Sequence, residues 1–538
     1  MIVEFFTPTV DVWRHLWATR LPEMIVNTLV LVVGVGIGTV VLGTGLAWLV
    51  VAHRFPGRAL FDWLLILPLA MPTYVLAFVF LSMFDFAGPV QTAARGWLGP
   101  DVWFPEIRSG GAVILVMTLV LYPYVYLLAR TAFQEQSAVT FEAARSLGSS
   151  RRSAFYRVVL PLARPSIAAG LTLVLMEVLT DIGAVRFLNF PTITDGVFRV
   201  WLGMGERDAA VELAGLLLLF VLVIIVLERR MRGRARYYQA GGRDRGITPV
   251  QLTGRAAWLA TGACAVVIGA AFVLPVSRLV VWVVAEAARG APGFFDSLYW
   301  GFARNSLVLS GAATLLAIFV ALVLANGVRS SRGRAVKVGA RLATMGYAMP
   351  GAVVAFGVLV LLSSADNVLN YLSQAFWGID VGLILTGSAV GLIYAYVVRF
   401  MAVGYYSVEA SLEKVTPSMD DAARSLGASS ARVLRRIHLP LVRVGMFTGA
   451  ALLFVDMMKE LPITLLLRPF GYDTLSVWVW QMASESLWSG AALPALTIVV
   501  TGLIPVMLLR HAATSRHWTG RFAGGSRRRT TEPAEAQQ

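Results

Sequence analysis

The chain has 538 residues, of which 57% are hydrophobic and only 14% charged, with a mean hydropathy of +0.71. A soluble chain carries about 25% charged residues, so the composition excludes an ordinary water-soluble domain and points to an integral membrane protein. A formal charge of +15 could serve nucleic acid, but the basic residues are dispersed over short loops with no aromatic-rich polar domain beside them, so no nucleic-acid partner is expected.

A helix needs about 20 apolar residues to cross a bilayer, and eleven runs are candidates, the range being ten to twelve. Residues 1–24 form an N-terminal segment expected outside the membrane. The first unit, 25–230, carries runs at 25–52, 60–84, 112–133, 167–179 and 211–227. In the first run, Gly34 to Gly38 reads GVGIG, a pattern for close helix packing rather than phosphate binding, since it lies mid-span and no GK[ST] follows. That run lacks a basic leader and cleavage site and is read as a retained span. An Arg-rich linker, 231–256, precedes the second unit, 257–512, with runs at 257–285, 306–328, 340–362, 381–403, 446–458 and 491–509. The lone cysteine, Cys264, falls inside an apolar run and reads as a small packing residue. Residues 513–538 are expected to be a polar, disordered cytoplasmic tail.

Charge asymmetry orients these runs. Arginines crowd the segments 227–246 and 329–341 and the tail, whereas 364–380 has no base and two acids. The positive-inside bias therefore places the C-terminus in the cytoplasm and, across eleven spans, the N-terminus outside.

The phrase AARSLG occurs twice, at Ala143 to Gly148 and at Ala422 to Gly427. Residues 142–164 and 421–443 share 12 identities in 23 positions at a constant offset of 279, so the chain is a tandem repeat. Six spans separate the copies, an even number, so the units run parallel and both copies face the cytoplasm. Each copy reads as helix, bend, helix: Gly148 and Gly427 suit a left-handed stop, serines at 149, 150 and 429 can cap the next helix, and Pro161 and Pro440 are expected to close it. Phe155, Val158, Val159 and Leu162 share one face of that second helix, as do Leu434, Ile437, His438 and Leu441, with Arg157 and Arg436 opposite. Small alanines beside an apolar Leu147 or Leu426 suit docking into a groove of another protein, and two equivalent elements imply a partner with two equivalent sites.

The spacing Glu-Ala-Ala, three residues, Gly, nine residues, Ile, one residue, Leu-Pro resembles the cytoplasmic motif of permease subunits of binding-protein-dependent ABC importers. The copies EAARSLGSSRRSAFYRVVLP and DAARSLGASSARVLRRIHLP depart from it at Val158 and Asp421. The resemblance implies coupling helices that dock on an ATPase, carried by Glu142, Ala143, Ala144, Leu147, Gly148, Leu160 and Pro161 and by Asp421, Ala422, Ala423, Leu426, Gly427, Leu439 and Pro440. Asn27-Thr28-Leu29 is matched by Asn305-Ser306-Leu307, and Met71-Pro72 by Met349-Pro350. Two fused units, with FPTITDGVFRVWLGMGERDAA from Phe190 and KELPITLLLRPFGYDTL from Lys459, are similar to the ferric iron permeases, with thiamine permeases a close cousin. Relatives often begin with an additional span, which the second unit has at 257–285 and the first lacks.

Ionisable residues near a span carry information because they are costly there. Glu177 and Asp181 follow the first motif, and Asp456 and Glu460 the second at the same offset of 279. Each pair is four apart on one helix face, so the acids can line a negative pathway for a cation. They can equally mark wet helix ends or pair with Lys459, Arg186 and Arg468. Pro462, Pro469 and Gly183 would break the helices there, as backbone lining a cavity allows. The five histidines, at 15, 53, 438, 511 and 517, show no metal-ligand spacing, so no resident metal is expected.

The expected protein is an all-α polytopic membrane protein of two tandem, parallel permease units, each with a cytoplasmic coupling helix. It would sit in the bacterial inner membrane among lipid, serving as the whole permease without homodimerising. An extracytoplasmic binding protein would deliver substrate, most consistently ferric iron, with thiamine, polyamine, phosphonate or sulfate as alternatives. No Walker A motif occurs in the sequence, so ATP and Mg would be bound by a separate ATPase dimer and the chain itself is not an enzyme. The rivals are an ion-driven secondary transporter, whose repeats are often inverted, and an intramembrane hydrolase, for which no HExxH or GxSxG exists.

Overall fold

The computed structural model describes residues 10–135, 141, 144–232, 248–290, 297–330, 333–413 and 415–522. Among them the protein is nearly all helix, in two tandem units, as expected. Its sheet is one parallel pairing, His53–Arg54 with Val250–Gln251, which ties the end of the first span to the approach of the sixth. Among the described residues ten helices are long and apolar enough to cross a membrane, and an eleventh span is counted if Leu434–Arg443 and Gly445–Met458, which meet at 59°, form one. Helical backbone is the solution hydrocarbon demands, since every N–H and C=O must be satisfied internally.

Small residues set the closest contacts. The first span, Leu21–Ala52, lies along Gly110–Glu135, and a Cβ on Gly34 would sit 2.5 Å from Ile114 Cδ1. One on Gly43 would sit 2.9 Å from the Tyr122 carbonyl oxygen, so the glycines of this span serve packing. In the second unit Ser297–Ser330 packs on Ala389–Leu412, with Ala313, Ala317 and Ala321 fully buried in the seam. The sixth span, Gly254–Ala288, packs on the first unit: Ala257, Ala260, Cys264 and Leu279 belong to that unit's core. Thr261 Oγ1 also donates to the Pro56 carbonyl at 2.9 Å. Residues of the last helix, Trp488–Phe522, enter the same core at Ala491, Ala495 and Ile498, so the units interlock.

Several expected bounds are corrected. The runs 60–84 and 340–362 are not single helices: 3-10 turns at Leu67–Ala70 and Met345–Ala348 lead into extended Met71-Pro72 and Met349-Pro350. A residue before proline is held out of the helical region, so the spans proper start at Thr73 and Gly351. The run 381–403 starts late, at Ala389, where Ser388 Oγ accepts the Gly391 N–H at 3.2 Å. Residues 513–522, expected in a disordered tail, continue the last helix, and residues 21–24 already belong to the first span.

Pro161 and Pro440 do not close their helices either. Each follows by two residues a π turn, at Phe155–Val159 and Leu434–His438, and Pro275 follows Gly269–Val273 in the same way. A proline ring clashes with the carbonyl four residues back; a widened turn moves that carbonyl aside, so the helix continues. The result in the first unit is one helical rod, Arg151–Thr180, of 30 residues.

Candidate functional site

The two AARSLG copies end in the same turn. Gly148 has φ 87° and Gly427 φ 78°, the left-handed region that favours glycine. In the first copy the Gly148 N–H bonds the Arg145 carbonyl at 3.0 Å and the Ser149 N–H the Ala144 carbonyl at 3.1 Å. In the second, Gly427 bonds Arg424 at 2.9 Å and Ala428 bonds Ala423 at 3.0 Å, so both are Schellman turns. Ser150 Oγ then accepts the Ser153 N–H at 3.2 Å and caps the next helix. Leu147 and Leu426, one residue before each glycine, are both 87% exposed. One bare leucine is ordinary; here the same turn of both units bares the same leucine.

The remaining motif residues are less uniform. Ala144 and Ala423 are half-buried, Asp421 and Ala422 exposed. Leu160 and Pro161 are half-buried in the rod, whereas Leu439 and Pro440 are exposed. Glu142 and Ala143 lie outside the described residues. Of the expected second face, Leu434, Ile437 and His438 turn inward, but Leu441 is exposed because it approaches the bend after Arg443.

The helix after each bend breaks at an equivalent place. Leu160–Thr180 stops at Asp181 and Gly183–Phe187 begins; Leu439–Met458 stops at Lys459 and Pro462–Leu467 begins. Asp181 Oδ1 accepts the Ala184 N–H at 2.8 Å, and Glu460 Oε1 accepts the Ile463 N–H at 3.2 Å. Each acid thus caps the short helix beyond the break, where unpaired N–H groups favour a carboxylate. The Thr73 hydroxyl also donates to Asp181. Beyond the breaks, Thr28 Oγ1 accepts the Ile193 N–H at 3.1 Å and Ser306 Oγ the Leu475 N–H at 2.8 Å, so the matched Asn-Thr and Asn-Ser pairs pin both outgoing segments.

Between the breaks lies a cavity of about 80 Å³, room for a few waters. Glu177, Asp181, Asp456 and Glu460 all line it, with Tyr74, Tyr124, Tyr347, Arg399 and Lys459. Asp181 and Glu460 are buried, so they are not wet helix ends. Lys459 pairs with Asp456 at 2.9 Å and Arg399 with Glu460 at 3.5 Å. Arg186 and Arg468 instead pair with Asp195 and Asp473. The second unit's acids are thus each matched by a base, while the first unit contributes Glu177 and Asp181 and no base to the wall. Among the described residues no cluster of three or more His, Cys, Asp or Glu forms a metal site.

Four wall residues, Tyr124, Tyr347, Tyr74 and Arg399, escape the sequence reading. Arg399, 4% exposed, sits mid-span in Ala389–Leu412, where the first unit has Val120 at the offset of 279. The available signal was a lone arginine in an apolar run. Tyr74 is also buried, and its hydroxyl has no hydrogen-bond partner. Gly183 and Gly351 make room for Tyr74 and Arg399: a Cβ on Gly183 would sit 2.3 Å from Tyr74 Cβ, and one on Gly351 would sit 2.2 Å from an Arg399 Nη1.

Residues 13–235 and 313–516 match the family described as binding-protein-dependent transport system inner membrane component. The chain is 28% identical over 502 residues to the Fe(3+)-transport system permease protein FbpB 2 of Haemophilus influenzae, covering 93% of this chain and 91% of the relative. It is 34% identical over 149 residues to the sulfate transport system permease protein CysT of Escherichia coli, covering 28% of this chain and 52% of that one. It is also 29% identical over 203 residues to the molybdenum transport system permease protein ModB of Escherichia coli, covering 36% and 87%. The two matched stretches contain both bends and both helix breaks. The chain therefore belongs to the binding-protein-dependent transport system inner membrane components, as two ABC importer permease units fused in one polypeptide.

Proposed function

We propose that the chain carries ferric iron across the bacterial inner membrane, from an extracytoplasmic binding protein, under the drive of a separate ATPase dimer docked on its two bends. The observation that carries this reading is the cavity wall: four carboxylates from both units converge there against two bases. Ferric iron is a hard cation that prefers oxygen donors, and the wall offers carboxylate and phenol oxygens. The extent of similarity to a relative named for Fe(3+) transport, over 93% of the chain, supports the same cargo.

In this reading one helix connects drive to pathway. Bend and acid lie on one helix: the rod from Arg151 to Thr180 carries Gly148's turn at one end and Asp181 at the other, about 45 Å away at 1.5 Å per residue. A displacement of Leu147 and Gly148 by a closing ATPase dimer is delivered along that rod to the break. The partner binds ATP and Mg; this chain supplies two conformational states for the nucleotide to bias. Ala144, Leu147, Gly148, Asp421, Ala422, Ala423, Leu426 and Gly427 form the docking surface, with Glu142 and Ala143 preceding the first copy in the chain, Leu160 and Pro161 in the first unit's rod, and Leu439 and Pro440 in the second unit's helix before its 59° bend. In this reading the C-terminus and both bends lie in the cytoplasm.

Arg399 and Lys459 favour one second reading, an oxyanion cargo of the sulfate or molybdate kind. Vesicles reconstituted with this chain, its binding protein and its ATPase separate the two. ATP-dependent accumulation of labelled ferric iron, lost in Glu177→Gln with Asp181→Asn, supports the first reading; accumulation of labelled sulfate or molybdate instead establishes the second. Uptake driven by a proton gradient without ATP contradicts both.

A further inference from the structure

The two bends are equivalent in shape but are fastened to their units by opposite chemistry. In the first unit Trp48 packs tilted on Phe155 and edge-on to Phe133 and Phe141 at centroid distances of 4.6, 5.6 and 6.2 Å, with His53 edge-on to it at 6.3 Å. Phe141, Phe133 and Val159 are buried, so among the described residues the contacts of Trp48 in this joint are mainly aromatic. In the second unit the position of Phe141 is Asp420, that of Val159 is His438, that of Trp48 is Asn326 and that of Val51 is Arg329, at offsets of 278 or 279. These four replace the aromatic packing with a polar network. Arg329 Nη2 lies 2.9 Å from Asp420 Oδ2, and the His438 ring meets Asp420 Oδ1 at 2.8 Å and Asn326 Oδ1 at 3.1 Å. Arg329 also donates to the Leu412 and Val415 carbonyls at 3.0 and 2.8 Å, so one side chain ties the end of Ser297–Ser330 to the residues entering the bend.

Asp420 is the hub. Its side chain is 13% exposed and that of Arg329 21%, so water reaches the pair. The groups facing it from other elements are Arg329 and His438; on its own helix, Asp421 and Arg424 point to solvent. The first unit has an ion pair too, Asp62 with Arg130 at 2.5 Å, but its partners correspond to Ala340 and Glu409 and it does not touch the bend. Separating an aromatic cluster exposes apolar surface in proportion to area. A wet ion pair exchanges its partner for water at far smaller cost.

We propose that Asp420 is a positioning residue for energy coupling: it holds the second bend through a joint that opens during the transport cycle, whereas the first bend is fixed to its unit and moves with it. The inference rests on the reading of the bends as ATPase docking elements. Its consequence is unequal transmission: one bend drives its helix rigidly, and the other re-seats.

The test measures ATP hydrolysis and uptake together, in vesicles holding the full chain, its ATPase and its binding protein, normalised to inserted permease. Asp420→Asn should retain the ATPase on co-purification and lower uptake per ATP hydrolysed about tenfold, and Asp420→Glu should restore at least half. Arg329→Gln should give the same loss by the other partner. Grafting the first joint's chemistry, Asp420→Phe with His438→Val, should insert normally and still transport poorly, because an apolar joint cannot open. Recovery of uptake by that graft, or an unchanged ratio in both Asp420→Asn and Arg329→Gln, overturns the proposal. Gly427→Pro in the same assay keeps the two readings apart. If it too leaves ATPase binding intact, the docking assignment has failed; if Gly427→Pro loses the ATPase while Asp420→Asn and Arg329→Gln keep the wild-type uptake per ATP hydrolysed, the joint alone has.

Discussion

The most discriminating consequence of the two bare leucines is a split between folding and docking. Leu147→Ala with Leu426→Ala removes two side chains that are each 87% exposed. Surface substitutions of that kind change folding by about 0.5 kcal/mol or less. If each leucine enters an ATPase groove and is buried there, each contributes roughly 2 kcal/mol of apolar burial, of which alanine keeps only a small part. Loss of about 3 to 4 kcal/mol across the pair corresponds to an affinity lower by about 100- to 1,000-fold. Titrating the permease in nanodiscs with its ATPase measures that affinity, and a thermal melt of the permease alone measures folding. The expected outcome is an unchanged melting temperature with binding weakened by two orders of magnitude or more. A double variant that binds as tightly as wild type, or one that melts several degrees lower, refutes the docking assignment of these turns.

Three further outcomes follow from the cavity and the joints. Arg399→Leu leaves Glu460 buried without its base and should destabilise the permease by about 3 to 5 kcal/mol, while Arg399→Leu with Glu460→Leu should recover much of that in a detergent melt. Gly183→Ala places a Cβ 2.3 Å from Tyr74 Cβ, so the break must shift; uptake should fall several-fold with the ATPase still bound, and normal uptake would show that the wall tolerates movement. Burial alone would push the Asp420 carboxyl up, but hydrogen bonds from His438 and Arg329 outweigh it and hold the group below its usual range. A depressed acid stabilises the fold above its unfolded value, about pH 4, and loses that contribution as pH falls through the lower folded value. The gap in melting temperature between wild type and Asp420→Asn should therefore be flat above about pH 5 and shrink below pH 4.

Much of this fold is legible in the chain because the repeat supplies two readings of each feature. Gly148 and Gly427 announce the bends, and Gly183 and Pro462, at the same offset of 279, announce the breaks, since each member of a pair guards against over-reading the other. The same method hides whatever exists in one unit only. Arg399 against Val120, and Asp420 against Phe141, are differences between copies, and they carry the cavity's charge imbalance and the unequal joints. Pro161 was misread for a different reason. The rule that proline stops a helix assumes an α register upstream, and the π turn at Phe155–Val159 removes the clash on which that rule rests. Hydropathy likewise merged 60–84 into one span, because an apolar 3-10 turn and an apolar helix have the same composition.

The central claim is that the acid-lined cavity passes ferric iron. Uptake of radiolabelled ferric iron by iron-starved cells, with and without this gene, tests it most directly, with labelled thiamine and sulfate measured alongside. A loss confined to iron, restored by the wild-type gene but not by Glu177→Gln with Asp181→Asn at equal membrane content, is the result expected. Undiminished iron uptake with loss of thiamine or sulfate uptake would contradict the cargo and leave a permease whose acids do other work.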